Sequence, residues 1–122
     1  MKLTLIRGLP GSGKTTLAKT FNARHVEADM YFVNDHGEYC YDPSLIAQAH
    51  QWCQEQTKQA LAKGEDVVVA NTFVRRWEME TYKTLARQFN ADLEIIVCNG
   101  NYQNIHGVSE TVIAKMRARW QE

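Results

Sequence analysis

Residues Gly8-Leu9-Pro10-Gly11-Ser12-Gly13-Lys14-Thr15 constrain this chain more than any other stretch. They fit G-x-x-x-x-G-K-[ST], the Walker A or P-loop spacing, in which a glycine-rich turn points successive backbone N–H groups at phosphate oxygens. The flanks fit as well. Leu3-Thr4-Leu5-Ile6 is a short apolar run that reads as a buried strand, and Thr15 to Phe21 continues at helical spacing with Leu17, Ala18 and Phe21 apolar. Strand, glycine loop and helix in that order turn a spacing match into a candidate site.

The chemistry asks for these residue types. Gly8, Gly11 and Gly13 supply permissive backbone angles and allow close approach. Pro10 stiffens the loop, and Leu9, Ser12 and Thr16 complete the cradle. The start of the following helix adds unpaired N–H donors. Lys14 brings a point charge to the outer phosphates, and the Thr15 hydroxyl is placed to ligate magnesium.

The rest of the chain alternates. Val26-Glu27-Ala28 reads as a second strand ending at Asp29, and Met30 to Asp42 as an aromatic, polar loop. Pro43 suits a first helical position with Asp42 as its cap. Leu45, Ile46, Ala49, Trp52, Cys53, Ala60 and Leu61 fall on one face of a long helix that Gly64 ends. Asp66-Val67-Val68-Val69-Ala70 is the continuous apolar strand expected inside a parallel sheet. A helix over Trp77 to Phe89, a strand over Leu93 to Cys98, a polar loop over Asn99 to Gly107 and a last helix capped by Ser109 follow. The order β-α-β-α-β-α-β-α predicts an α/β, three-layer P-loop fold: a four-stranded, mostly parallel sheet with helices on both faces. Ligands in such folds sit beyond the carboxyl ends of the strands, where the P-loop, Asp29, Asn71 and Thr72 all fall.

Length and composition set outer bounds. The 122 residues suit one domain spanning 1–122, and 44% apolar content can build a core. Lys plus Arg and Asp plus Glu number 14 each, which argues against a strongly basic, non-specific nucleic-acid binder. No apolar run is long enough to span a membrane, and the chain opens straight into a strand, so neither a membrane nor a signal peptide is expected. Cys40, Cys53 and Cys98 lack disulfide or zinc spacing and read as free thiols of a cytoplasmic protein. His25, His36, His50 and His106 form no ligand cluster.

With these segments placed, the chain resembles the small P-loop kinase domains related to phage 5′-polynucleotide kinase. Compact ATP-binding proteins of phages and bacteria are similar, as is the kinase-like domain of animal proteins that bind a ubiquitin ligase of the Nedd type. The resemblance rests on Leu5 to Thr16, on Ala28-Asp29-Met30-Tyr31-Phe32, on Asn71-Thr72 with Trp77-Glu78-Met79, and on Asn104 to Ser109. It implies ATP and Mg2+ as cofactors, Lys14 on the outer phosphates, Thr15 on the metal and Asp29 as general base toward an acceptor hydroxyl. The plainer reading of Asp29 is a turn cap.

The chain also departs from that pattern. Ala70 stands where many relatives carry an aspartate, leaving Asn71 or Thr72 to substitute. Phe32 stands where the polynucleotide kinase has an arginine that grips the acceptor phosphate. Asn101-Tyr102-Gln103-Asn104 lacks the arginines that relatives use as a lid. Arg75 and Arg76 are the candidate replacements, able to meet charge on the transferring phosphate; the alternative is a solvated helix start. Tyr31, Phe32, Tyr39 and Tyr41 read either as a platform for an acceptor base or as a small apolar lid. His106 reads as a cap or loop hydrogen bond. Trp52 and Trp120 fall on apolar helix faces.

Two functions of different kinds follow. One is an ATP- and magnesium-dependent phosphotransferase acting on an alcohol group, with a polynucleotide 5′-hydroxyl or a nucleotide-like small molecule as acceptor. The other is a non-catalytic or weakly hydrolytic ATP-binding module that works through a partner. Nucleic-acid binding without transfer is the weakest reading, given the neutral net charge.

Overall fold

The computed structural model describes residues 1–100 and 107–122. Its strands are β1 (Lys2–Arg7), β2 (Arg24–Val26), β3 (Val67–Asn71) and β4 (Asp92–Val97). Its helices are α1 (Lys14–Ala18), α2 (Ile46–Ala62), α3 (Glu80–Gln88) and α4 (Glu110–Arg119). The four strands form one sheet in the order β2-β3-β1-β4, and every neighbouring pair is parallel.

Burial on both faces explains the continuous apolar character of β3, whose five residues are all buried. On one face Leu3, Leu5, Val67 and Val69 pack with Cys53 and Leu61 of α2 and Tyr82 and Leu85 of α3. On the other, Ile6, Val68 and Ala70 pack with Ala18 of α1, and Leu17 and Phe21 join them. Alternate residues of β1 and β3 thus serve different layers. β4 is an edge strand, and its Leu93, Ile95 and Val97 remain exposed.

Two boundaries differ from the sequence expectation. The helix expected over Thr15 to Phe21 stops at Ala18. Beyond it the chain tightens into turns, with Phe21 N–H donating to Ala18 O at 3.1 Å and the Thr20 hydroxyl to Leu17 O at 2.6 Å. A hydroxyl that bonds a preceding carbonyl competes with helix continuation.

The second strand lies at Arg24–Val26 rather than at Val26 to Ala28. Arg24 N–H donates to Asp66 O at 2.8 Å, which sets the register against Val67 to Val69. The Ala28 N–H leaves the ladder for the Asn71 side-chain oxygen at 3.0 Å. Met30 N–H then donates to Glu27 O, and Ala28–Phe32 winds into a 3-10 turn that carries Asp29.

The aromatic loop is a tight hairpin. Val33 bridges Tyr39, and Asn34 Oδ1 accepts from the N–H groups of His36 and Glu38. Asp42 caps a 3-10 turn, Pro43–Leu45, that leads into α2. Ser109 Oγ accepts from Val112 N–H and caps α4 as expected. Among the described residues, no helix is long and apolar enough to cross a membrane.

Candidate active site

A cavity of about 460 Å³ opens beyond the carboxyl ends of β1, β2 and β3. Pro10, Gly11, Gly13, Lys14, Thr15 and Thr16 form one wall. The 3-10 turn with Glu27, Asp29 and Phe32, the hairpin tyrosines Tyr39 and Tyr41, and the start of α2 form another. Val112 and Met116 of α4 contribute a third.

Gly8, Leu9 and Ser12 build the loop from behind. Gly11 (φ 82°) and Gly13 (φ 95°) occupy left-handed conformations that favour glycine. Gly8 is required by crowding instead: a Cβ there would lie 2.3 Å from Ser12 Oγ and 2.7 Å from the Cys98 carbonyl oxygen. The Leu9 carbonyl accepts from Ser12 N–H at 3.1 Å and from Lys14 Nζ at 3.1 Å, so the lysine folds back over the loop. Burial pushes the Lys14 pKa down from the ordinary lysine value, and the carboxylate of Glu27 opposes that shift. Such an ammonium group gains more than a solvated one from phosphate oxygens.

Glu27 is the functional candidate that sequence reading missed. It is 6% exposed and lines the cavity. Its Oε1 accepts from the Thr15 hydroxyl at 3.1 Å, and its Oε2 lies 2.5 Å from His25 Nε2. The available signal is the spacing Glu27-Ala28-Asp29, two carboxylates two residues apart at the end of a short strand.

Asp29 lies on the 3-10 turn, where Tyr39 donates its phenol hydrogen to Oδ1 at 3.0 Å. Burial and the neighbouring Asp29 charge push the Tyr39 phenol up to about 12. Asn71 holds the turn in place. Its Oδ1 accepts from Ala28 N–H, and its amide lies 3.6 Å from Cys53 Sγ. Asn71, one of the two residues expected to substitute for Ala70, thus clips β3 to the segment carrying Asp29. Phe32 is buried at the centre of the aromatic group, with edge contacts at 5.6 Å to Tyr31, 6.3 Å to Tyr39 and 5.1 Å to Tyr41.

Arg75 and Arg76 do not line the cavity. The chain turns at Phe73 (φ 46°), and Arg7 donates to the Phe73 and Val74 carbonyls. Arg76 N–H then donates to Gln121 Oε1 at 2.8 Å, and Arg75 N–H to Glu78 Oε2 at 2.7 Å. Arg76 is therefore tied to the carboxyl-terminal tail, and Arg75 to its own turn. Trp77 is solvent-exposed on the adjoining turn. Trp52 packs partly buried against the core, whereas Trp120 covers the Arg7 guanidinium at 4.2 Å. Asn101 to Asn104 and His106 lie outside the described residues.

The sequence profile of the AAA domain family matches residues 3–105. The chain belongs to that family. Human NEDD4-binding protein 2 is 32% identical over 135 residues, which cover 98% of this chain and 8% of that protein. The chain therefore spans under a tenth of this relative's length. Among solved structures, the Pnkp1/Rnl/Hen1 complex superposes with a TM-score of 0.65 at 18% identity, covering 93% of this chain and 38% of the other. The APS kinase CysC of Mycobacterium tuberculosis, in complex with AMPPNP and APS, gives 0.60 at 18% identity over 96% of this chain and 73% of the other. This AAA domain thus has the P-loop kinase fold.

Proposed function

We propose that this domain is an ATP- and Mg2+-dependent kinase that transfers the γ-phosphoryl group to a hydroxyl. The observation that carries the reading is the convergence of Lys14, Thr15, Glu27 and Asp29 on one cavity at the strand ends. The loop amides and Lys14 hold the triphosphate. The acceptor oxygen forms a bond to the γ-phosphorus, the bridging β–γ P–O bond breaks, and ADP leaves. The acceptor proton passes to the Asp29 carboxylate, which Tyr39 and the Asn71 clip keep in place.

The residues present fit magnesium. Thr15 Oγ1 donates its hydrogen to Glu27 and keeps its lone pairs for a cation, and both are hard oxygen ligands. Among the described residues no cluster of three His, Cys, Asp or Glu forms a metal cage, which suits an ion held largely by phosphates and waters. Bound Mg2+ would neutralise charge on the β- and γ-phosphates.

The test is transfer of label from γ-labelled ATP across a panel of alcohols. Wild-type protein should label at least one class, and Asp29→Asn should lose the transfer while still binding ATP. Transfer that survives in Asp29→Asn would overturn the assignment of the base. A second reading, an ATP-binding module without transfer, draws on Ala70 and on the positions of Arg75 and Arg76 outside the cavity. For that module, ATP binds and no acceptor is labelled.

A further inference from the structure

Beyond transfer to a hydroxyl, the cavity walls carry information about the acceptor, and we infer that it is an uncharged, nucleoside-like alcohol whose planar ring lies against Tyr39 and Tyr41. This rests on the kinase reading above. Charge is the first support. Among the described residues lining the cavity, Lys14 is the only lysine or arginine, and it serves the triphosphate. His50 is the only other basic side chain there, against the carboxylates of Glu27 and Asp29. The stretch from Asn101 to His106 adds no lysine or arginine in sequence. A phosphorylated acceptor would bring further negative charge to two carboxylates without a guanidinium to meet it.

Shape is the second support. Tyr39 and Tyr41 lie nearly parallel, with ring centroids 6.3 Å apart and planes within 9°. They are 44% and 50% exposed and line the cavity, and the buried Phe32 ring makes edge contacts with both. Exposed parallel ring faces are suited to stacking a planar group. Ile46 and Ala49 continue this wall in apolar character. The Tyr39–Asp29 hydrogen bond places the platform beside the proposed proton acceptor. The platform therefore serves the hydroxyl compound rather than the base of ATP. A ring stacked here would carry its sugar hydroxyl toward Asp29.

The experiment compares kcat/KM for labelling of unphosphorylated nucleosides, the same nucleosides bearing a 3′-phosphate, 5′-hydroxyl oligonucleotides, and sugars without an aromatic ring. Nucleosides should exceed each other class by about tenfold or more. Tyr41→Ala should raise KM for the nucleoside about tenfold, a stacking-sized effect, and Tyr41→Phe should restore it. KM for ATP should stay within about twofold in both variants. Preference for the phosphorylated or ringless acceptors, or a Tyr41→Ala defect in ATP binding, overturns the inference. If nothing is labelled, the kinase reading fails separately. Calorimetric titration of nucleoside into the complex with a non-hydrolysable ATP analogue then decides the pocket: binding lost in Tyr41→Ala supports it, and absence of binding overturns it.

Discussion

The Thr15 hydroxyl donates a hydrogen bond to the buried carboxylate of Glu27 at 3.1 Å, tying the last P-loop residue to the end of the neighbouring strand. That pairing puts a carboxylate beside the proposed magnesium position in a chain where Ala70 offers none. Replacing Glu27 with Gln keeps the size and removes the charge. The Mg2+ concentration that half-saturates ATP binding should then rise about tenfold, as for other groups that orient a metal ligand. Nucleotide titrations at stepped Mg2+ concentrations measure this, and an unchanged metal requirement would remove Glu27 from the site.

Gly8 and Ser12 make opposite predictions about the same contact. Gly8→Ala drives a methyl group into Ser12 Oγ and the Cys98 carbonyl, and should cost about 1–3 kcal/mol as an overpacked site. Ser12→Ala removes a buried hydroxyl that has no hydrogen-bond partner among the described residues, and should be neutral or slightly stabilising. Urea unfolding of the two variants separates these outcomes.

Tyr39→Phe keeps the ring and deletes the donor to Asp29. It should lower kcat about tenfold with little change in acceptor KM. The phenol gives an independent spectroscopic mark. Its folded-state pKa is raised from 10.0 to about 12, so the stability tied to its neutral form is present below pH 10 and is lost as pH rises through 12. Ultraviolet titration of Tyr39→Phe should lack one tyrosine that ionises near pH 12.

Trp120 and Arg7 join α4 to the strand that leads into the P-loop. The guanidinium is buried, sits 4.2 Å from the indole ring and donates to Phe73, Val74 and Gln121 carbonyls. Trp120→Ala should cost about 1–2 kcal/mol and lower Tm by roughly 5 °C. Because Val112 and Met116 of the same helix line the cavity, ATP affinity should fall as well. Thermal melts with and without ATP measure both effects.

The P-loop was legible because its glycines, lysine and threonine have fixed chemical reasons for their spacing. The parallel sheet was legible because β3 is apolar on both faces. Strand order was not, since the sheet order β2-β3-β1-β4 depends on long-range pairing that no local pattern encodes. The sequence places the second strand two residues late because Arg24 and His25 are polar and carry no strand signal, whereas the Asn71 side chain diverts the Ala28 N–H from the ladder. That shift also hid Glu27, read as strand interior rather than as the cavity wall. Arg75 and Arg76 stand close to the site in sequence, but after the left-handed turn at Phe73 Arg76 bonds the tail and Arg75 bonds Glu78 of its own turn. Left-handed backbone at a phenylalanine is not foreseeable from residue type.

The central claim is that the loop from Gly8 to Thr16, with Lys14, grips a triphosphate. Calorimetric titration of ATP with Mg2+ into wild-type and Lys14→Ala protein tests it most directly. Saturable heat in the wild type, with affinity reduced at least about tenfold in Lys14→Ala, is the expected result. No heat of association at millimolar ATP, or equal affinity in the two proteins, would contradict it.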